Sequence, residues 1–327
     1  MHSATRGLRQ SSFLAWPSYT LEQDDLVLQV VPSVGGRLMG IAFAGQELCF
    51  THPDLRGKSF DGDLRHWDAL CAGWSFPLWG GGKTWIAPQS AWPDDAPHRD
   101  LDSLAWTVLA YWCDAQSMGI EIQSPVCAVT GLQLSRRLVL PAGAQTWSIE
   151  HTLRNTGTMA LSCGLWDVLM LLRPGDVQVA LAAPGRYPGE RVVALPGKKA
   201  CAQLEAQGTL HTEGDVAHIH CHSGDEFKCG FASLDGRVQV DFAPWGLRYQ
   251  RHSIADPKAS YAHGLPVEVF NAPALDYFEV ETHSPLHTLQ AGESATYTIY
   301  ESVVAVGVGA LMPNLQTKVQ ALPSQFL

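Results

Sequence analysis

The chain has 327 residues, of which 46% are hydrophobic and only 17% charged, and its net charge is -10. That composition excludes a disordered chain, and an acidic balance with no run of Lys or Arg excludes a nucleic-acid-binding surface. Met1–Thr20 lacks the apolar run of a signal peptide, and no segment reaches the roughly 20 apolar residues that span a bilayer. The eight cysteines are scattered without a C-x-x-C pair, which reads as reduced thiols in a cytoplasmic protein.

In chain order, Phe13–Leu21 and Leu26–Val31 read as strands about the acidic turn Glu22–Asp25, and Arg37–Phe43 pairs back through Ala44–Gln46 to Glu47–Phe50. From His52 to about Leu104 periodicity vanishes and Gly, Pro, Asp, His and Trp take over, the composition of a long functional loop. Strand patterns return in Ala105–Asp114, Gly119–Ser124, Leu132–Leu140, Thr146–Asn155 and Met159–Leu172. They continue through VQVAL, VAHIHCH, FKCGFASL, RVQVDF, LPVEVFN, Tyr277–Pro285 and Ser294–Val306. Leu311–Leu322 is the best helical candidate, in a C-terminal tail over about 307–327. Many strands with regular turn punctuation and no linker predict one all-β domain, a sandwich or barrel.

Three constellations could carry chemistry. In GGGKTWIAPQSAWP, Gly80–Pro93, the glycines allow close backbone approach, Lys83 and Gln89 offer hydrogen bonds, and Trp79, Trp85 and Trp92 offer flat apolar faces. That mixture suits a sugar, whereas the spacing rules out a Walker phosphate loop. His218, His220 and His222 alternate along one strand face, a metal-ligand spacing that Glu213 or Asp215 could complete, although such a face is more often simply solvated.

The third is YFEVETHSP. Strand residues alternate faces, so Tyr277, Glu279, Glu281 and His283 share one side. That row is either a solvated surface or the floor of a site. Burial would raise the pKa of at least one carboxylate, as a proton-transfer group near neutrality requires. Both approach from the same side, which argues against a glycosidase pair. His151 falls on an apolar face with Trp147, Ile149 and Leu153 and reads as a core histidine. Asp167 is a charge inside an apolar run and needs a partner or a function.

VVPSVGGRLMGIAFAGQELCF, GGGKTW with its following PQ and W, NTGTMALSCGLWDV, and VEVFN with YFEVETHSPL resemble one family of the galactose mutarotase-like (aldose 1-epimerase-like) superfamily, over roughly 26–303. The resemblance implies a large antiparallel β-supersandwich with a saccharide site on its concave face and no cofactor or metal. Arg37, Trp79, Lys83, Trp85, Gln89, Trp92, Trp166, His263, Tyr277 and His283 are the substrate-binding candidates. Aldose 1-epimerases remove the anomeric hydroxyl proton with a late-strand carboxylate while a histidine protonates the ring oxygen. VETHSP is similar to that late-strand motif and makes Glu281 the base, with Glu279 as its partner.

The two epimerase histidines are missing. Trp166 or Asp167 stands in the place of one, and Trp79 or Gly80 in that of the other. Asp167, Lys83, His263 or His283 could replace the acid. The expected function is saccharide binding with epimerase-like chemistry at an anomeric carbon. The alternatives are a non-catalytic carbohydrate-binding protein and a metal-dependent cupin-like enzyme that uses the His218–His222 face.

Overall fold

Alternating apolar positions make most of the chain strand-forming. In the computed structural model, which describes residues 5–94 and 96–306, the strands assemble into two large antiparallel sheets. The twelve-stranded sheet has at its centre, in spatial order, Arg37–Phe43, Gly82–Ala87, Leu161–Leu172, Tyr277–His283, Val267–Asn271 and Phe227–Phe231. The middle of the ten-stranded sheet runs Gly175–Ala180, Val238–Phe242, Leu247–Ser253, Ser294–Ala305, Thr146–Asn155 and Leu132–Pro141. One hydrophobic cluster joins the sheets, drawing Leu28, Ile41, Leu169 and Val280 from the first and Leu134, Ile149, Val240 and Ile299 from the second. The all-β antiparallel supersandwich expected from the sequence is the observed architecture. The tail over 307–327, with its candidate helix Leu311–Leu322, lies outside the described residues.

Two local expectations are corrected. Phe13–Leu21 is not one strand. Leu14 and Ala15 take positive φ (46° and 74°) and form a tight turn between Arg6–Phe13 and Trp16–Gln23, with Phe13 opposite Trp16. The stretch from His52 to Leu104 is also not wholly irregular, since Gly82–Ala87 is a central strand between Arg37–Phe43 and Leu161–Leu172. All six of its residues are buried, so it lacks the alternation that marks a strand with one wet face.

The glycines before it serve the fold rather than a ligand. Gly80 sits at φ +106°, and a Cβ there would lie 2.2 Å from the Phe50 carbonyl oxygen. This close crossing lets Gly81 N donate to Phe50 O at 2.9 Å and sets the strand's register.

Candidate functional site

Register decides which side chains share a face. Trp166, Val168 and Met170 lie opposite His283, Glu281 and Glu279 on one side and, for the first two, opposite Trp85 and Lys83 on the other. Glu268 faces Glu281, Phe270 faces Glu279, and Lys228 faces Phe270. Antiparallel pairing keeps such partners on the same face. The row Tyr277, Glu279, Glu281 and His283 is therefore the floor of a polar, aromatic patch on the side of the sheet away from the core. All seven residues of that strand are buried.

The centre is a carboxylate–ammonium–carboxylate cluster. Lys228 Nζ lies 2.8 Å from Glu281 Oε2 and 2.9 Å from Glu268 Oε2, and 4.5 Å above the Trp166 ring. Trp166 Nε1 donates to Glu281 Oε2 at 2.6 Å. On the far side of Glu268, His263 Nδ1 lies 2.8 Å from Oε1, and His283 Nε2 lies 3.4 Å from the same atom, out of hydrogen-bond alignment. Among the described residues, Glu281 Oε1 and both ring nitrogens of His283 are buried without a hydrogen-bond partner. Buried polar atoms are nearly always satisfied, so these three atoms carry hydrogen-bonding capacity that the surrounding side chains leave unused.

One ammonium thus faces two buried carboxylates at nearly equal distance. Burial raises Glu268, but the Lys228 ammonium outweighs it and holds that group well below the usual carboxylate range. Burial also raises Glu281, and Lys228 offsets this only in part against the charges of Glu268 and Glu279, so Glu281 is pushed up to about 8. The two carboxyls therefore titrate as a coupled pair, with burial and the neighbouring charges favouring the proton on Glu281. Burial lowers His283 despite Glu268, which keeps its imidazole neutral. Lys228 is desolvated, but its two carboxylates raise it and keep it charged.

An aromatic wall covers the cluster. Trp85 meets Trp166 edge-on at 4.9 Å, Trp92 stacks on Trp166 at 6.0 Å, and Trp166 stacks on His283 at 5.5 Å. Trp92 is fixed by Nε1 donating to the Ile86 carbonyl at 2.7 Å, and Trp85 by Nε1 donating to Asp102 Oδ1 at 2.7 Å. Solvent reaches the cluster at its rim, where the Lys228 and His263 side chains are 13% and 15% exposed.

The other expected residues divide. Lys83 shares the face, but its Nζ is engaged by Glu279 Oε1 at 3.0 Å, and burial lowers its pKa in spite of that partner. Glu279 thus pairs with Lys83, and the carboxylate opposite Glu281 is Glu268. Arg37 lies on the same side but its guanidinium binds Asp102 Oδ1 at 2.7 Å and supports Trp85 through that shared acid. Tyr277 sits at the end of the row, packed on Phe50 at 4.8 Å. Trp79 does not join them, because it is fully buried in a separate cluster with Trp16, Val34 and Met39. Gln89 is exposed on the short turn Gln89–Ala91 beyond the strand's end.

Asp167 is the clearest departure. It pairs with Thr84 and Thr282 on the opposite face of the sheet, so its side chain enters the core between the sheets. There Arg251 donates to Oδ1 at 2.7 Å, Thr84 donates to Oδ2 at 2.8 Å, and His151 Nε2 lies 3.1 Å from Oδ2. Burial alone would raise its pKa, but Arg251, His151 and Arg136 hold it far below the usual range. It is the acid of an inter-sheet ion network that continues from Arg251 to Glu301 at 2.7 Å, and His151 is the core histidine the sequence suggests. On the second sheet, His218 stacks on His211 at 4.5 Å. Asp215 pairs with Arg191 at 2.6 Å rather than with the histidines.

No protein-family model matches the chain, and no curated protein does. Solved structures do. A galactose mutarotase-like protein from Clostridium acetobutylicum superposes with a TM-score of 0.58 at 10% identity, covering 92% of this chain and 99% of the other. The fold is galactose mutarotase-like. A "putative aldose 1-epimerase" from Klebsiella pneumoniae gives 0.59 at 13% identity over 90% of this chain and 81% of that one. One from Escherichia coli K12 gives 0.52 at 16% identity over 88% and 99%. At these identities the likeness concerns the mutarotase-like fold alone, and the chemistry rests on this chain's own residues. No helix among the described residues is long and apolar enough to cross a membrane, and all eight cysteines are free.

Two groups central to the cluster, Glu268 and Lys228, escape the sequence reading. Each is a single charge flanked by apolar residues within a strand, in VEV and FKC. The same buried-charge argument that marks Asp167 would have marked them.

Proposed function

We propose that the face of the twelve-stranded sheet that carries Glu281 binds a saccharide and interconverts its anomers by acid–base chemistry centred on Glu281. The supporting observation is the free, fully buried Glu281 Oε1 on a carboxyl pushed up to about 8, at the foot of the indole wall of Trp85, Trp92 and Trp166. Indole faces suit the C–H face of a sugar, and the unpaired atoms of Glu281 and His283 suit its hydroxyl rim.

With Glu281 protonated and His283 neutral, ring opening needs two transfers. Glu281 gives its proton to the ring oxygen as the bond from that oxygen to C1 breaks. His283 takes the anomeric hydroxyl proton as that oxygen becomes the aldehyde carbonyl. C1 then rotates, and closure reverses both transfers, which leaves the two groups as they began. The resemblance makes Glu281 the base that removes the anomeric hydroxyl proton; its raised pKa supports the reverse assignment here, with Glu281 as the acid at the ring oxygen and His283 as the base at the anomeric hydroxyl. Lys228 and Trp166 hold its other oxygen, and Glu268 and His263 flank His283.

Magnetisation-exchange NMR between anomers tests the reading across hexoses, pentoses, uronic acids and sugar phosphates. Accelerated exchange of at least one sugar that is abolished in a folded Glu281→Gln variant is the expected result. Unchanged turnover in that variant would remove the mechanism.

A second reading, a non-catalytic saccharide-binding protein, is favoured by Trp166. It is one of the two residues, with Asp167, that stand where the resemblance places a histidine, and it is the one on this face, where its indole N–H is taken up by Glu281. That reading gives saturable binding with no faster anomer exchange.

A further inference from the structure

The histidine-bearing strand Val216–Cys221 lies on the ten-stranded sheet, away from the Glu281 cluster. Ala217, Ile219 and Cys221 point into the core, so His218 and His220 point outward, and His222 follows just past the strand's end. Across the ladder His220 faces Asp176 of Gly175–Ala180. Asp176 Oδ1 lies 2.6 Å from His220 Nδ1 and 2.7 Å from His222 Nε2. Two imidazoles thus converge on a single carboxylate oxygen, and the three ligand-type atoms all lie within 4.8 Å of one another.

We infer that Asp176, His220 and His222 form a binding site for one divalent first-row transition ion of the zinc or cobalt type, with water completing its coordination. Two neutral imidazoles and a carboxylate are a donor set that such ions favour over magnesium or calcium, which take mainly oxygen ligands. Around a tetrahedral ion with bonds of about 2.0–2.1 Å, donor atoms stand about 3.3 Å apart. Each imidazole nitrogen must therefore retreat from Oδ1 by only about 0.6 Å. The three side chains, 34–51% exposed, have the freedom to do so.

The backbone fixes the rest, because Asp176 and His220 are paired across adjacent strands and His222 is two residues further along the chain. One side of the site is bounded by His211, whose ring is 5.9 Å from that of His220 and stacks on His218. The triad therefore differs from the three alternating histidines of the sequence expectation. His218 is turned towards His211, and the carboxylate comes from Asp176 rather than Glu213 or Asp215. The ion would tie the strand Gly175–Ala180 to the end of Val216–Cys221.

Cobalt(II) titration of the untagged full-length chain tests this by visible absorption, with zinc(II) as competitor. The expected result is one equivalent of cobalt with ligand-field bands, displaced by zinc. Binding should weaken at least about tenfold in Asp176→Asn and in His220→Ala, and the melting temperature should rise with zinc in the wild type but not in the variants. Melting in the absence of metal checks that each variant folds. The inference is overturned if the wild type binds cobalt no better than folded Asp176→Asn. It is equally overturned if binding survives the His220→Ala/His222→Ala double variant and is lost in His263→Ala/His283→Ala, which would place the ion beside Glu268 on the other sheet.

Discussion

Glu281→Gln separates the electrostatics of the site from its chemistry, because it can be read in stability without any substrate. A carboxyl free in the unfolded chain titrates near about 4.3, whereas in the fold it is pushed up to about 8 by burial and by Glu268 and Glu279, against Lys228. A folded pKa above the unfolded one favours the protonated form. Glu281 therefore adds its full share of stability below the unfolded pKa, and that share is lost as pH rises through the folded one. Each pKa unit is worth about 1.36 kcal/mol, so the loss is under about 1 kcal/mol at pH 5 and reaches at most about 5 kcal/mol by pH 8.5. Between pH 5 and 8.5 the change is thus at most about 4 kcal/mol, and sharing of the proton with Glu268 lowers it further.

Glutamine keeps the shape of the protonated acid and cannot ionise. Its altered contact with Lys228 shifts the whole stability curve, but the pH slope belongs to the ionisation. Urea unfolding of wild type and variant at pH 5 to 8.5 reads that slope. The variant should gain on the wild type by up to about 4 kcal/mol across the interval. Parallel curves would mean that Glu281 ionises normally in the fold, and the proton-transfer role built on its raised pKa would go with it.

Asp167→Asn strips the inter-sheet network of an anion while Arg251 stays buried. Denaturant unfolding should show a loss of about 3 kcal/mol, with sugar binding by the folded fraction unchanged because the side chain is on the core face. A marked loss of binding without a loss of stability would contradict that placement. Lys228→Met removes the only cation touching both Glu268 and Glu281 among the described residues. Carboxyl carbon NMR should then show both acids titrating higher than in the wild type, and a downward move of Glu281 would contradict the cluster's electrostatics.

The architecture was legible because most strands have one wet face. Thr146–Asn155 is read from sequence to the residue, since Trp147, Ile149, His151 and Leu153 alternate with solvated neighbours. Gly82–Ala87 was not, because it is buried on both sides and alternation disappears where no face meets water. The floor of the site was legible for the converse reason. Four polar groups with period two on a strand demand either water or one another. The partners of that floor were not, because Glu268 and Lys228 reach Glu281 through pairing across three strands, a register local pattern does not carry.

Register also explains why Asp167 and Trp166, adjacent in sequence, have unrelated roles. The resemblance leaves open which of the two replaces the histidine, and a strand's alternation puts them on opposite faces. Asp167 goes to the core, where Arg251 compensates it, and Trp166 goes to the site. A tryptophan there changes what the neighbouring carboxyl can do. An imidazole could trade a proton with substrate, whereas an indole can only donate a hydrogen bond. Its N–H and Lys228 both occupy Glu281 Oε2, so Oε1 is the oxygen left for a ligand. Under the proposed anomer exchange, proton transfer to and from a sugar would run through that one oxygen and a second group on the same face. His283 meets that requirement. It lies two residues along the same strand, with both ring nitrogens unpartnered and Glu268 beside it to stabilise the charge it gains.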